Sequence, residues 1–301
     1  MAILGAAHEE GSSLTLATQP TRKHVAGYPV DAVSNGQAIR TIIDRALEGK
    51  PGAFVTLTNA NNVVQSQSRP VVREAAERAF LSLPDGYPLA WALRRRGYGR
   101  TQKLGGPDLL RMVAAEGRDA GLRHFFYGWT TRLSVAAAER LEEQVPGTRV
   151  VGATSPPFAR AGGFPDPPDA SEPVPPGTPL APRWVELGGP VTKVDWHLEQ
   201  VAAAIREARP HILWVGLGSP IQEEWMSMVA GQLDVPVMIG VGRAFNYQSG
   251  MQRRCPPFMT QNGLEWLYTF LSEPRRLWRR YLIGLPRFAV LLASRGVKPA
   301  A

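Results

Sequence analysis

Cysteine is nearly absent from this 301-residue chain, in which Cys255 stands alone. That excludes a disulfide framework within the chain and a cysteine-rich zinc site, and it fits a reducing compartment. No apolar stretch reaches the uninterrupted length of a membrane-spanning helix. The opening "MAILGAAHEEGSSLTLATQP" lacks the basic start and long apolar core of a signal peptide. These absences predict a soluble or peripheral protein on the cytoplasmic side. The Gly-x-Gly-x-x-Gly dinucleotide pattern and the Gly-Lys-Ser/Thr phosphate loop are missing as well, which disfavours a nicotinamide enzyme or an ATPase. The five histidines and the single cysteine show no ligand spacing, so no metal site is expected.

What is present suits one large or two modest globular domains: 44% hydrophobic and 20% charged residues over 301 positions. The formal net charge of +8 is concentrated at one end. From Met251 to Ala301, nine basic residues stand against Glu265 and Glu273, a local excess of +7. They are interleaved with Trp266, Tyr268, Phe270, Leu271, Trp278 and Tyr281. A solvated basic tail is one explanation. The aromatic interleaving also describes a surface for an anionic, partly apolar partner.

Between these ends, strands and helices alternate. "AFVTLTNANNVV" is a β-branched run ending in asparagines, and "PVVREAAERAFLSL" is helical, with proline near its start. "GPDLLRMVAAEGRDAG" is a second helix, "HFFYG" a short buried strand, "TRLSVAAAERLEEQVPG" a helix and "TRVVGATSPPF" a strand and turn. Then follow the helix "DWHLEQVAAAIREARP", the strand "HILWVGLG", the helix "IQEEWMSMVAGQL" and the strand "VPVMIGVGRAF". Such alternation predicts an α/β fold: a single Rossmann-like parallel sheet with helices on both faces, plus a mainly helical C-terminal appendage. Residues 160–190, rich in proline and glycine, break the pattern and are expected to be a mobile surface insertion. The predicted organisation is a flexible N-terminus over 1–20, an α/β core over 21–250 and a basic appendage over 251–301.

In a parallel α/β sheet, ligands gather at the carboxyl ends of strands beside helix N-termini. "VGLGSPIQEEWM" lies at such a corner. Gly216 and Gly218 would allow close backbone approach, Pro220 stiffens the turn, and Gln222 and Glu223 open the helix. Any tight strand–helix turn can also demand such glycines. At a second corner, "SLPDGYPLAW", Asp85 should sit at the mouth of the sheet. Asp-Gly is a common turn pair, and a lone carboxylate in a cleft can also serve as general base.

In order, "VTLTNANNVV", "PDGYPLAW", "GGPDLL", "FFYGW", "VVGATSPPF", "ILWVGLGSPIQEEWM", "VMIGVGRAFNYQSG" and "GLEWLYTFLSEPRRLWRRYL" resemble the signature blocks of the WecG/TagA/CpsF family of bacterial glycosyltransferases. The resemblance runs from about Val25 to about Phe288. It implies a UDP-sugar donor, an acceptor saccharide on a polyprenyl diphosphate, and inverting chemistry without metal or other cofactor, in the synthesis of cell-surface polysaccharides. The absence of an Asp-x-Asp pair agrees with metal independence. The family's base falls on Asp85, and its threonine–asparagine segment falls on Thr56 to Asn59, where Thr56 and Thr58 compete for one role. Gly106, Pro107, Asp108 and Leu109 match a Gly-x-Asp-Leu block, preceded by Lys103 where the family often has arginine. The nucleotide-side block falls on Gly216, Gly218, Pro220, Gln222, Glu223 and Trp225. Asn246 replaces a family aspartate and so loses a charge. Should the base lie elsewhere, Asp108 and Glu223 are the next candidates, with helix capping and a first-turn acid as their structural explanations.

The resemblance also gives the tail a task, since a lipid-linked acceptor brings the enzyme to the inner face of the cell membrane. Arg275, Arg276, Arg279 and Arg280 are expected to divide between the departing diphosphate and the anionic lipid surface. A non-catalytic basic module binding membrane or nucleic acid is the competing class. The paired Asp-Gly and Gly-x-Gly corners argue against it, and no nucleic-acid partner is expected.

Overall fold

The computed structural model describes residues 20–156, 194–261 and 263–299. The expected flexible N-terminus, apart from residue 20, and the expected insertion at 160–190 therefore lie outside the described residues. The strands are β1 (Thr21–Val25), β2 (Tyr28–Ala32), β3 (Ala53–Thr58), β4 (Leu81–Pro84), β5 (Arg123–Gly128), β6 (Arg149–Thr154), β7 (Ile212–Gly216), β8 (Val237–Gly240) and β9 (Val297–Pro299). The helices of the first half are α1 (Asn35–Leu47), α2 (Ala60–Gln65), α3 (Pro70–Arg78), α4 (Tyr87–Arg95), α5 (Gly106–Gly117) and α6 (Thr131–Gln144). Those of the second half are α7 (Val194–Ala208), α8 (Ile221–Val229), α9 (Ala244–Gln248), α10 (Pro257–Gln261), α11 (Glu265–Ser272), α12 (Pro274–Trp278) and α13 (Leu285–Arg295), with a π-helical turn over Arg279–Gly284.

Six strands form one parallel sheet in the order β4-β3-β8-β7-β5-β6, as the alternation predicts. The chain lays β3 and β4 at one side, crosses to build β5 and β6 at the other, and returns to insert β7 and β8 between them. Every residue of β3, β7 and β8 is buried. That follows from cover on both faces, and it explains why these strands read as unbroken apolar runs. One face packs on α1, α5, α6 and α9 through residues such as Ile39, Leu109, Leu141 and Phe245. The other packs on α7 and α8 through Ile205, Met226 and Val229. In register, Thr58 lies opposite Pro84, Gly128 opposite Gly216 and Val215 opposite Gly240, so the carboxyl ends finish in one row.

Two local features differ from the expectation. The "PVVREAAERAFLSL" helix stops at Arg78, because Ala79 turns extended (φ −60, ψ 140) and Phe80 N donates to Phe54 O at 2.8 Å. Leu81–Pro84 then joins the sheet beside β3. The asparagines after β3 do not continue it. Asn59 accepts from Asn61 N at 3.0 Å while Asn62 Oδ1 accepts from Asn59 N at 3.1 Å, a reciprocal cap that starts α2.

A third layer has no counterpart in the sequence pattern. β1 and β2 form a hairpin over Ala26 and Gly27, both at positive φ (54 and 83), as a tight hairpin turn requires. β9 pairs with β1, so the end of the C-terminal region returns to the beginning of the described chain. Phe288 from α13 packs with Tyr28, Val30, Leu89 and Leu93. The hairpin shields the edge strand β4: Ser82 N donates to Asp31 Oδ2 at 2.7 Å, and Ser82 Oγ donates to Pro29 O at 2.8 Å.

Asp31 is 2% exposed and also accepts from Nε and Nη2 of Arg22, at 3.0 and 2.8 Å. Replacing Asp31 with alanine leaves Ser82 N without its acceptor and Arg22 with only the backbone oxygens of Glu77 and Phe80, so Asp31→Ala should cost about 3 kcal/mol. Urea denaturation of the full chain measures this loss.

Candidate active site

Asp85 follows β4 directly, with its N–H donating to Thr58 O at 2.7 Å, so its carboxyl group stands at the carboxyl edge of the sheet. The Gly105–Gly106 segment passes beside it. A Cβ at Gly105 would lie 3.4 Å from Asp85 Oδ1 and 4.0 Å from both Asp108 Oδ2 and Lys103 Cε. The 103–108 loop thus brings Asp85, Lys103 and Asp108 around one point. Burial pushes the Asp85 carboxyl up to about 7, with Glu265 and Asp108 adding to the rise and Lys103 and Arg280 opposing it.

Asp108, in the first turn of α5, has a different environment. Arg254 grips it with two bonds at 2.7 and 2.5 Å, and Arg111 adds a third at 2.7 Å. Burial raises this carboxyl too, but the hydrogen bonds and charge of Arg254 and Arg111 outweigh it and hold the group below its ordinary range. Asp108 is therefore ionised and fully engaged, a poor proton acceptor and a good anchor for Arg254.

Further ion pairs tie the C-terminal helices to the same edge. Lys103 pairs with Glu265 at the start of α11. Arg243, in the corner after β8, donates to Glu273 at 2.5 Å and to Gln252 at 2.9 Å. Gln252 Nε2 also donates to Glu273, at 3.1 Å. Of the four tail arginines singled out by sequence, Arg280 is part-buried and close enough to act on Asp85. Arg275 and Arg279 are exposed, and Arg279 lies over the Trp278 ring at 5.3 Å. The Arg276 side chain lies outside the described residues.

Arg243 and Arg254 escaped the sequence reading. A basic residue directly after the Gly240–Gly242 corner was a usable signal for Arg243. Arg254 carried none beyond its charge, because its partner Asp108 is 146 residues away.

The β7–α8 corner is more structural than its glycines suggest. A Cβ at Gly216 would lie 2.6 Å from the Phe245 ring, and one at Gly128 would lie 2.7 Å from it. The space at these two strand ends belongs to Phe245. Gly106 likewise admits Ala244, 2.8 Å from where its Cβ would stand. Gly218 has φ +77 and needs glycine for that conformation. Ser219, joined to Pro220 by a cis peptide, accepts from Asn62 Nδ2 at 2.7 Å, which ties this loop to the first turn of α2.

Gln222 and Glu223 point inward, at 3% and 0% exposure. Gln222 Nε2 donates to Glu223 Oε1 at 3.1 Å, while Gln222 Oε1 and Glu223 Oε2 are buried without partners. Burial pushes Glu223 up to about 7. Thr56 and Thr58 are buried at 1% and 0%. Thr58 Oγ1 meets Ser82 Oγ at 2.9 Å, and Thr56 Oγ1 is without a partner. Asn59 caps α2, and Asn246 sits in α9 with its backbone O accepting from Gln252 N at 2.9 Å. Asp85, Lys103, Asp108 and Arg280 therefore cluster at the sheet edge. Thr56, Thr58, Gln222 and Glu223 belong to the buried layer beneath it.

A partly buried carboxyl near neutrality, ringed by lysine and arginine, can remove a proton while the cations stabilise a departing anion. The chain is also similar to known proteins. The model of the "Glycosyl transferase WecG/TagA/CpsF family" matches residues 23–301. An N-acetylglucosaminyldiphosphoundecaprenol N-acetyl-beta-D-mannosaminyltransferase of Bacillus spizizenii is 24% identical over 242 residues, 80% of this chain and 79% of that protein. The protein of the same name in Staphylococcus aureus (strain MW2) is 31% identical over 107 residues, 36% of this chain and 42% of the relative.

The raised Glu223 fixes a sign for stability against pH. Its folded value of about 7 exceeds its ordinary 4.5, so its contribution is complete below the unfolded value and is lost as pH rises through about 7. Glu223→Gln keeps an acceptor for Gln222 and removes that loss. The variant should melt above the parent protein at pH 8, and the two should converge near pH 4 in a thermal denaturation series.

Proposed function

The chain belongs to the WecG/TagA/CpsF family of glycosyl transferases, and from that premise we propose that it moves a sugar from a UDP-sugar to a saccharide on a polyprenyl diphosphate, with inversion. The names of the relatives, N-acetylglucosaminyldiphosphoundecaprenol N-acetyl-beta-D-mannosaminyltransferases, support a lipid-linked acceptor of this kind. The product then serves assembly of a cell-surface polysaccharide.

In this reaction ionised Asp85 takes the proton from an acceptor hydroxyl. The freed oxygen forms its bond to the anomeric carbon from the face opposite the donor phosphate. The bond from that carbon to the UDP oxygen breaks, and UDP departs with the electron pair. Lys103, Arg243, Arg254 and Arg280 supply the positive charge that meets the growing negative charge. Lys103 and Arg243 are already paired with Glu265 and Glu273, so a diphosphate enters by exchanging one anion for another there, while Arg254 stays held by Asp108 and acts through its charge. No divalent cation or other cofactor is required by this scheme. The buried layer of Thr56, Thr58, Gln222 and Glu223 shapes the floor under the donor, with Gly106, Gly216, Gly218, Pro220, Asn246 and half-buried Asn59 setting the backbone around it. Arg275, Arg276 and Arg279 serve the anionic inner membrane surface, to which the enzyme is peripheral.

The observation that carries this proposal is the position of Asp85, at the carboxyl edge with Lys103 and Arg280 acting on it. The contrast with Asp108 supports the choice, since Asp108 is bound on three sides by guanidinium nitrogens.

Asp85→Asn should lower turnover by roughly 10² to 10⁴ while UDP binding, followed by calorimetry, changes less than about twofold, because Asp85 touches the acceptor rather than the nucleotide. For the parent enzyme kcat/KM should rise with pH and level off above about 7, since the base acts only when ionised. Turnover of Asp85→Asn at the parent's rate would place the base elsewhere.

A further inference from the structure

Helix α4 carries a stripe that the transfer reaction does not use. Tyr87, Trp91, Arg94 and Arg95 recur at i, i+4, i+7 and i+8, and all four are exposed. The opposite face, Leu89, Ala90, Ala92 and Leu93, is buried. The outer face of a core helix is ordinarily polar, yet here Tyr87 is 49% and Trp91 41% exposed. A guanidinium lies over each ring: Arg94 over Tyr87 at 5.4 Å and Arg95 over Trp91 at 5.2 Å. From Gly86 to Pro107 the sequence holds Arg94, Arg95, Arg96, Arg100 and Lys103 and no acidic residue. Among the described residues, no carboxylate pairs with Arg94 or Arg95.

Two features of position give this stripe a meaning. α4 begins two residues after Asp85, so whatever the stripe rests on lies close to the reacting end of the site. The Tyr87 ring also lies against Gly263, where a Cβ would stand 3.4 Å from Tyr87 Cγ. There the stripe meets the C-terminal helices, beside Leu264 and Trp266, which are 37% and 44% exposed.

We propose that the outer face of α4 is a lipid-docking surface for an anionic bilayer. Trp91 and Tyr87 sit at the headgroup level, as tryptophan and tyrosine prefer. Arg94 and Arg95 meet lipid phosphates. Docking through α4 holds Asp85 beside the membrane plane, where the diphosphate of a lipid-linked acceptor must lie. This rests on the lipid-linked reading of the acceptor, and it adds an anchor on the α/β core itself, outside the basic C-terminal region. The aromatic rings and the adjoining Leu264 favour a bilayer over duplex DNA, whose phosphates would engage the arginines alone.

The test uses full-length Arg94→Gln/Arg95→Gln and Trp91→Ala proteins, sedimented with phosphatidylcholine vesicles with and without phosphatidylglycerol. The parent should bind the anionic vesicles and scarcely the neutral ones. The double variant should partition roughly 30-fold more weakly, at about one lipid-binding increment per lost cation, and Trp91→Ala should also weaken. All four side chains are exposed, so melting temperatures should not move. Transfer to a short-chain, water-soluble diphosphate-linked acceptor should stay at the parent's rate in both variants, while transfer to the vesicle-embedded acceptor falls with the partitioning. Undiminished vesicle binding by both variants overturns the proposal. So does parent binding to duplex DNA at least as tight as to anionic vesicles and lost on the same substitutions. If the parent transfers to neither acceptor, the transferase reading fails, while the vesicle result still decides the docking surface by itself.

Discussion

The grip of Asp108 on Arg254 is the contact on which the geometry of the sheet edge depends. Asp108 sits in the first turn of α5, where a negative charge complements the exposed N–H groups of the helix. Its two bonds to Arg254 join the α/β core to the chain that leads into the C-terminal helices. The pair is only partly exposed, at 33% and 25%, so its charge-assisted bonds are less screened than those of a surface pair. Once this link is made, α11 can place Glu265 on Lys103, and the start of α12 can hold Glu273 against Arg243. The π-helical turn that follows then brings Arg280 toward Asp85. The environment of one carboxyl group is assembled from distant parts of the chain.

That environment separates two acids that share a loop. Asp85 and Asp108 both lie within 4.0 Å of where a Gly105 Cβ would stand. Asp108 has three guanidinium bonds and is held low. For Asp85 burial is the largest influence, and Lys103, itself engaged by Glu265, offsets it in part. Two carboxyls pushed in opposite directions by their surroundings are a frequent mark of divided labour at an active site. Here the low one organises cations and the high one is left able to exchange a proton.

The strand–helix corner at Gly216 teaches a complementary lesson. Its glycines read from sequence as room for a ligand, and the Phe245 ring fills the space at Gly216 and Gly128. Packing the strand ends this tightly makes the edge a rigid platform. Beneath it lies the buried Gln222–Glu223 pair, and burial pushes the Glu223 carboxyl up to about 7. The N-terminal hairpin was silent in the sequence for a different reason. "TRKHV" has no clean alternation, and its turn at Ala26–Gly27 lacks the asparagine–glycine or aspartate–glycine pair that usually signals a hairpin. The strand after α3 was hidden because "AERAFLSL" continues a helical period that only pairing with β3 interrupts.

By itself the sequence determined the parallel α/β architecture, the placing of Asp85 at the mouth of the sheet and of Gly216 at a strand end, the basic character of the last 51 residues and the family. Each of these is written in local periodicity or in the order of short blocks, where neighbouring residues carry the whole signal. Only the tertiary structure decided which charges meet. Lys103 and Glu265 are 162 residues apart, Asp108 and Arg254 are 146 apart, and β9 finds β1 across nearly the whole chain. The same folding turned Tyr87, Trp91, Arg94 and Arg95 outward on one helix while burying the opposite face. Long-range packing sets the burial and the neighbours of a side chain, and these set its charge state and its accessibility. That is why the identity of the Asp85 carboxyl could be read in one dimension and its chemistry only in three.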